Sequence, residues 1–262
     1  MALIGDLLKG KTLIPKGDIV LHVTDEYGDI VVADSGDYRI LRFEGINEQS
    51  KMLKSDINSP VHNYIKAMLM AVGFTSAHNV LILGLGGGAL VRALHSIDDQ
   101  WSLDVVELRE GVLCVARKCF SLPVSDNIAY YIEDAESYLR RTHTPHYDLI
   151  FSDLYSAFAM DPLQGTESFL RSCLRKMCDH SWLVLNYHEI PRAESPLYGV
   201  LHQLFDEVLY CRVPSGNVII FAAKTSHQYT TTERRNQAKQ LLAKLGSGLE
   251  YLSKKIIPLS SS

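Results

Sequence analysis

Hydrophobic and polar positions divide the 262-residue chain into three stretches. In the first, Ile19-Val-Leu-His-Val-Thr24, Asp29-Ile-Val-Val-Ala33 and Tyr38-Arg-Ile-Leu-Arg-Phe43 are short β-branched or aromatic runs. Turn residues, Asp25-Glu-Tyr-Gly28 and Asp34-Ser-Gly-Asp37, separate them, so the pattern predicts a three-stranded meander. Ser59 as N-cap and Pro60 in the first turn then predict a helix whose apolar face carries Ile65, Met68, Leu69 and Val72. In the second stretch apolar blocks alternate with helical periodicity, which is the pattern of a doubly wound α/β sheet. Strands are expected at Val80–Leu83, Ser102–Glu107, Ile128–Ile132, Leu149–Ser152, Trp182–Asn186, Glu207–Val213 and Val218–Ala222. The last two flank Pro214-Ser-Gly-Asn217, a turn too short for a parallel crossover, so they are expected to pair antiparallel. In the third stretch Ala238, Leu241, Leu242, Leu245 and Leu249 recur at helical spacing and predict a capping or interface helix. The chain thus divides into an N-terminal β annex with its helix over 1–75, an α/β domain over 76–225 and a helical tail over 226–262. A meander of three strands is too small to stand alone. It is expected to pack on the main domain or on a second copy, which makes a homodimer an expectation.

The first strand of the α/β domain runs straight into Gly84-Leu-Gly-Gly-Gly-Ala89. Gly84, Gly86, Gly87 and Gly88 let the backbone take left-handed angles and come close to a ligand. The helix that opens at Ala89 turns its free N–H groups toward whatever lies over the loop, as nucleotide-cofactor loops do. In such sheets ligands sit beyond the carboxyl ends of the strands, where strand order reverses. The glycine loop, Glu107, Asp134 and Asp153 end successive strands and therefore read as one pocket. Glu107, 23 residues after Gly84, can accept both hydroxyl protons of a ribose; its alternative is a charge at the N-terminus of the next helix. Asp134 is placed for the exocyclic amine of an adenine, or to cap the helix over residues 135–141, or for both. Asp153 is expected to face the reacting centre, with a second capping acid as its alternative.

Composition narrows the reading only slightly. Hydrophobic residues make up 47% and charged residues 21% of the chain, which fits a soluble globular protein. A net charge of −4 lacks the basic footprint of a nucleic-acid partner. Five cysteines, an odd number with no C-x-x-C pair, fit reduced thiols and a cytoplasmic setting. The ten histidines lack ligand spacing, so no metal is expected. No stretch approaches the ~20 apolar residues of a membrane span. The opening Met1-Ala-Leu-Ile-Gly-Asp6 does not read as a signal peptide, so no membrane partner is expected.

One antiparallel strand in an otherwise parallel sheet resembles the Rossmann-like fold of S-adenosylmethionine-dependent methyltransferases. Several stretches, in order, resemble the polyamine aminopropyltransferases, the spermidine synthase family. They are Tyr27-Gly-Asp-Ile30, Leu41-Arg-Phe-Glu-Gly45 leading to Gln49-Ser50, Val80 to Ala89, Val106-Glu107, Glu133-Asp134, Tyr147-Asp-Leu-Ile-Phe-Ser-Asp153 and Pro214-Ser-Gly-Asn217. Pro162-Leu-Gln-Gly-Thr-Glu-Ser-Phe169 is most similar to the bacterial spermidine-synthase-like branch. The resemblance implies decarboxylated S-adenosylmethionine as co-substrate, a small-molecule amine such as putrescine as acceptor, and a place in polyamine biosynthesis. It implies Asp153 as the catalytic base, Tyr64 as its assistant and Gln49 as a pocket residue; ordinary packing or surface is the alternative for Tyr64 and Gln49.

Two positions depart from the family pattern. Where the family's glycine loop carries an aspartate that attracts the aminopropyl ammonium, this chain has Gly87. Where a second aspartate follows the catalytic one by three residues, it has Ser156, with Asp161-Pro162 five residues further on. Gly87 leaves transfer from unmodified S-adenosylmethionine, as in a methyltransferase, as one alternative. An adenosyl-binding protein without turnover is a second, and an NAD-dehydrogenase reading of the glycine loop is the weakest because it leaves Asp134 and Asp153 without a role.

Overall fold

The computed structural model describes residues 17–44, 47–143, 145–155, 160–225, 229–246 and 248–260. Met1–Asp6, Gly45, Ser156 and Ser226, which entered the sequence reading, lie outside the described residues.

The annex is an antiparallel sheet of four strands in chain order, not three: β1 (Asp18–Asp25), β2 (Gly28–Ser35), β3 (Tyr38–Phe43) and β4 (Asn47–Leu53). Both expected turns form as tight hairpins, Asp25 pairing with Gly28 and Ser35 with Tyr38. In the first, the Asp25 carboxylate accepts the Tyr27 N–H at 2.9 Å. The fourth strand escaped the sequence reading because Asn47-Glu-Gln-Ser-Lys-Met-Leu53 is mostly polar and shows no alternation. Pairing with β3 makes it a strand, not propensity.

The helix expected from Ser59 begins later, as α1 (Asn63–Leu69), with His62 at the N-cap position and no side-chain cap. The Asp56 carboxylate takes the Ser59 N–H at 3.2 Å, which spends Ser59 in a turn before the helix starts. Ile65, Met68 and Leu69 are buried as expected, and a 3₁₀ turn over Met70–Gly73 carries Val72 against the core.

The main sheet has eight strands: β5 (Asn79–Leu83), β6 (Ser102–Glu107), β7 (Ile128–Ile132), β8 (Tyr147–Ser152), β9 (Met177–Tyr187), β10 (Glu207–Arg212), β11 (Val218–Ala223) and the short β12 (Ile257–Pro258). Their order is β12-β10-β11-β9-β8-β5-β6-β7. The β10–β11 pair is antiparallel as expected, and β11 also runs antiparallel to β9, so it lies inside the sheet between β9 and β10. Strands β5 to β9 are parallel. The apolar block of β5 is buried on both faces. Val80 and Ile82 enter a core shared with α1, α2 (Ala89–Ile97) and α7 (Thr231–Lys244). Leu81 and Leu83 enter one shared with α4 (Ala135–Arg140), α5 (Glu167–Lys176) and α6 (Pro196–Leu204).

The tail helix forms, but it stops at Lys244, and Leu249 falls after it, ahead of a 3₁₀ turn over Glu250–Lys255. A capping box between Thr230 and Glu233 starts α7. Its Arg234, fully buried, holds Glu207 with two hydrogen bonds at 2.6 and 3.2 Å and stacks on Trp182. Strand β12 then pairs with β10 at the sheet edge, which nothing in its two residues announced.

The annex seats on α3 (Glu110–Cys119), where Ile30, Val32, Leu41, Phe43 and Met52 meet Val112, Val115 and Cys119. Arg109, at the N-cap of α3, binds Asp25 at 2.8 and 3.1 Å and the Gly28 carbonyl at 2.9 Å, while its guanidinium lies over Phe43. The contact is close at Gly111, where a β-carbon would stand 2.8 Å from both Asp25 Oδ2 and Ile30 Cδ1. Gly111→Leu is therefore expected to prise the annex away, at about 1–3 kcal/mol, and to open β1 and β2 to limited proteolysis. An unchanged melting temperature and cleavage pattern would mean that the annex is not held through this seam.

Candidate active site

Strand order reverses at β5, with β8 on one side and β6 on the other, and the glycine loop leaves β5 at that point. Gly84 has φ of +94°, and a β-carbon there would sit 2.3 Å from the Asp153 carbonyl oxygen. Only glycine fits. Its N–H donates to the Val106 carbonyl at 2.9 Å, and the Asp153 N–H donates to the Leu83 carbonyl at 2.9 Å. The tips of β5, β6 and β8 are thereby laced together before the chain turns away. Buried Arg92 of α2 fastens the loop from below, donating to the carbonyls of Gly87, Phe120 and Ile57 at 2.5, 2.7 and 2.7 Å.

Over the loop opens a cavity of about 640 Å³. It brings together Gln49, Tyr64, Gly84, Gly86, Glu107, Asp134 and Asp153 from the sequence reading. Gly87 and Gly88 do not line it: they face Ser50 and Leu122. Residues that the sequence reading did not assign also contribute, among them Tyr27, Glu48, Ser50, His62, Arg109, Asn186 and Asn217. Asn186 had a signal that went unused, since it ends the expected strand Trp182–Asn186 just as the acids end theirs.

Glu107 and Asp134 each serve a local structural purpose while lining the cavity. Glu107 accepts the Leu85 N–H at 3.1 Å with one oxygen and the Arg109 N–H at 2.9 Å with the other, so it joins the glycine loop to the start of α3. Burial raises its pKa, against the pull of those N–H groups. The Gly86 N–H hydrogen-bonds Glu107 as well, so of about four lone-pair sites three serve the loop and the start of α3. Asp134 is the N-cap of α4, accepting the Ser137 N–H at 2.9 Å through Oδ1, while it lines the cavity mouth. Both of its alternatives are thus compatible with the geometry.

Asp153 is the N-cap of none of the helices among the described residues. Asn186 Nδ2 donates to its Oδ1 at 2.8 Å, and the Tyr64 hydroxyl, reaching from α1, also hydrogen-bonds the carboxylate. Its surface opens on the cavity, yet the protein crowded round it raises the pKa to about 6, and the two donors only partly offset that. Tyr64 in turn has a pKa raised well above the ordinary value, by burial first and then by the Asp153 charge, so it stays a donor. A carboxylate poised near neutrality beside a fixed phenol is suited to accepting a proton from an amine.

No protein-family model matches the chain. The polyamine aminopropyltransferase of Vibrio vulnificus is 26% identical over 222 residues, covering 81% of this chain and 74% of that protein. That of Chromobacterium violaceum is 26% identical over 229 residues, covering 83% and 85%. The chain is thus similar in sequence to the polyamine aminopropyltransferases, the spermidine synthase family. A probable spermidine synthase from Corynebacterium glutamicum shares the fold with a TM-score of 0.71 at 18% identity, covering 87% of each chain. Human methyltransferase-like protein 13, solved with S-adenosylhomocysteine, does so with a TM-score of 0.62 at 23% identity, covering 71% of this chain and 93% of that one. The fold of this chain is the methyltransferase-like Rossmann sheet with a small antiparallel N-terminal sheet.

The two departures from the family pattern have different surroundings. Ser156 lies outside the described residues, and Asp161, the acid nearest to it downstream, caps the 3₁₀ turn Pro162–Gly165 by accepting the Leu163 N–H while also lining the cavity. At Gly87 the space is already filled. Ser50 of β4 accepts the Gly87 N–H at 2.8 Å, and a β-carbon on Gly87 would stand 2.8 Å from Ser50 Cβ and 3.2 Å from Phe120 Cδ1. Gly87→Asp is therefore expected to cost about 1–3 kcal/mol, and Ser50→Gly in the same chain to recover part of it. Urea unfolding of the two single variants and the double variant checks this as a double-mutant cycle. Strict additivity would show that Ser50 is not what fills the position.

Proposed function

We propose that this chain transfers an aminopropyl group from decarboxylated S-adenosylmethionine to a small-molecule amine. The observation that carries this reading is the charge of the cavity wall. Glu44, Glu48, Glu107, Glu133, Asp134, Asp153 and Asp161 line it, and against them stands Arg109, already bound to Asp25. Such a wall favours two cationic co-substrates. It disfavours a ligand carboxylate, which at 6 Å from one of these acids meets a repulsion of roughly 3 kcal/mol at an effective dielectric of ~20.

In this reading Glu107 takes the ribose hydroxyls, Asp134 the adenine amine and Gln49 the co-substrate tail beside the glycine loop. Asp153 accepts a proton from the acceptor's ammonium, assisted by Tyr64. The freed amine lone pair then attacks the carbon next to the sulfonium. A C–N bond forms, the C–S bond breaks with its electrons going to sulfur, and methylthioadenosine leaves. The reading is supported by the relatives' names, and by the pKa of about 6, which leaves Asp153 largely ionised at neutral pH. Gly87 and Ser50 favour methyl transfer from S-adenosylmethionine as the second reading, because no acid stands at that point of the loop.

Purified protein given decarboxylated S-adenosylmethionine with putrescine, cadaverine or spermidine should release methylthioadenosine. Absence of methylthioadenosine with all three acceptors rejects the proposal, and tighter calorimetric binding of intact S-adenosylmethionine supports methyl transfer instead. Asp153→Asn is expected to lower kcat by ~10²–10⁴ while adenosyl binding persists. The wild-type rate should rise about tenfold per pH unit below a midpoint near 6 and level off above it, because only ionised Asp153 accepts a proton. The same substitution should raise the melting temperature at pH 7.5. The folded-state pKa lies above that of the unfolded chain, so ionising Asp153 destabilises the fold as pH rises from about 4 to about 6. Below pH 4 the gain should vanish.

A further inference from the structure

Three polar side chains form a directed chain that ends on Asp153. Ser215 Oγ donates to Asn217 Oδ1 at 2.9 Å, Asn217 Nδ2 donates to Asn186 Oδ1 at 3.0 Å, and Asn186 Nδ2 donates to Asp153 Oδ1 at 2.8 Å. Ser215 and Asn217 belong to the hairpin between β10 and β11, and Asn186 lies near the end of β9. In every link the donor stands on the hairpin side, so each bond polarises the next toward the carboxylate. The base of the chain is firm. Asn186 is 2% exposed, and its backbone carbonyl accepts from Gln164 Nε2 at 3.2 Å. Gln164, fully buried, also accepts from Ser152 Oγ at 2.8 Å, one residue before Asp153.

A primary amide beside a carboxylate has two orientations of nearly equal shape. In one it offers an N–H; in the other it turns its carbonyl oxygen on the anion. We propose that Asn217 is a positioning residue that fixes the first orientation: by donating to Asn186 Oδ1 it obliges Asn186 to present its N–H to Asp153. The last hairpin of the sheet thereby sets the charge state of the group at the reacting centre. This inference rests on Asp153 acting as the base. Among the described residues the titratable groups that face Asp153 are Tyr64 from α1 and Tyr155 from the loop after β8; Asn186 and Asn217 are neutral. Burial acts to keep Asp153 protonated and the Asn186 and Tyr64 donors act against it, so weakening the Asn186 bond moves the titration upward.

The test is a titration of Asp153 in the full chain by carboxyl carbon NMR with labelled aspartate, assigned with Asp153→Asn, alongside the pH–rate profile. Asn217→Ala should move the midpoint up, and Asn217→Asp should move it further, since an ionised carboxylate cannot donate and makes Asn186 turn its N–H away. Asn186→Ala should give a rise at least as large as Asn217→Ala, and Ser215→Ala the smallest. In the pH–rate profile the Asn217→Ala change should appear as an acid limb displaced to higher pH, in step with the NMR midpoint. Midpoints within about 0.2 of wild type for both Asn217 variants would overturn the proposal. The NMR arm decides whether or not turnover is found. A shifted midpoint without methylthioadenosine supports the positioning role and rejects the transfer; an unshifted midpoint with turnover does the reverse.

Discussion

Everything at the reacting end depends on how closely β5 and β8 approach just beyond their last paired residues. Gly84 turns with positive φ directly under the Asp153 backbone, leaving no room for a β-carbon, and its N–H is still satisfied by Val106. Because the three strand tips remain hydrogen-bonded through the turn, Glu107, the glycine loop and Asp153 are held at fixed spacing by backbone and not by side-chain packing. Arg92 stabilises the far side of the same loop by filling three carbonyls at once. A buried arginine without a carboxylate partner is costly unless its donors are used, and the shift of its pKa down to about 10 through burial registers that cost. The loop thus has neither a spare degree of freedom nor space for a larger residue.

The annex completes this arrangement from above. Its β4 brings Ser50 onto the Gly87 N–H, and its first hairpin brings Asp25 and Tyr27 to Arg109. The Asp25 carboxyl feels burial, which would raise its pKa, but the Arg109 hydrogen bonds prevail and hold it below the usual range. The annex is therefore latched at two points on the main domain, one at the glycine loop and one at the N-terminus of α3. Both latches border the cavity, so the four-stranded sheet acts as its roof. A sheet of this size has too little core to be independent, and α3 supplies the apolar surface that it lacks.

What could be read from the sequence follows from where the information lies. Parallel strands buried on both faces announce themselves as unbroken apolar blocks, and Ser102–Glu107 and Ile128–Ile132 form with the expected bounds. The strand-end acids were legible because topology fixes where strand ends go. Strand β4 was not, since its reason for existing is a partner strand and a loop 37 residues away in sequence, neither of which shows in Asn47-Glu-Gln-Ser50. Ser59 is not the helix start: its N–H closes a turn on the Asp56 carboxylate, and the helix begins at Asn63. Asn186 and Asn217 were invisible as a pair: an amide is unremarkable until a neighbour decides which end points at an anion. Gly87 read as an empty place in the loop, whereas the structure fills it with a side chain from another sheet.

This last point bears on how a loop without its acid could still receive a cation. In the proposed reading an acid at residue 87 would add a single charge-assisted hydrogen bond of ~1.5–3 kcal/mol. A cavity wall with seven carboxylates supplies a field in which each acid at ~8 Å contributes roughly 2 kcal/mol before screening at an effective dielectric of ~20. Several of these acids are partly neutralised by their own partners, such as Glu133 by Arg141 and Glu48 by Lys51. Even with half of the field discounted, the collective attraction matches or exceeds the missing contact. What the field cannot replace is direction. A hydrogen-bonded acid fixes where an ammonium sits, while a diffuse potential only draws it in, so the geometry of the reacting end falls to neutral groups that orient by hydrogen bonds. Tyr64 and Asn186 are such groups, with Asn217 behind Asn186, and their bonds lead to Asp153, the acid that the proposed transfer uses as its base.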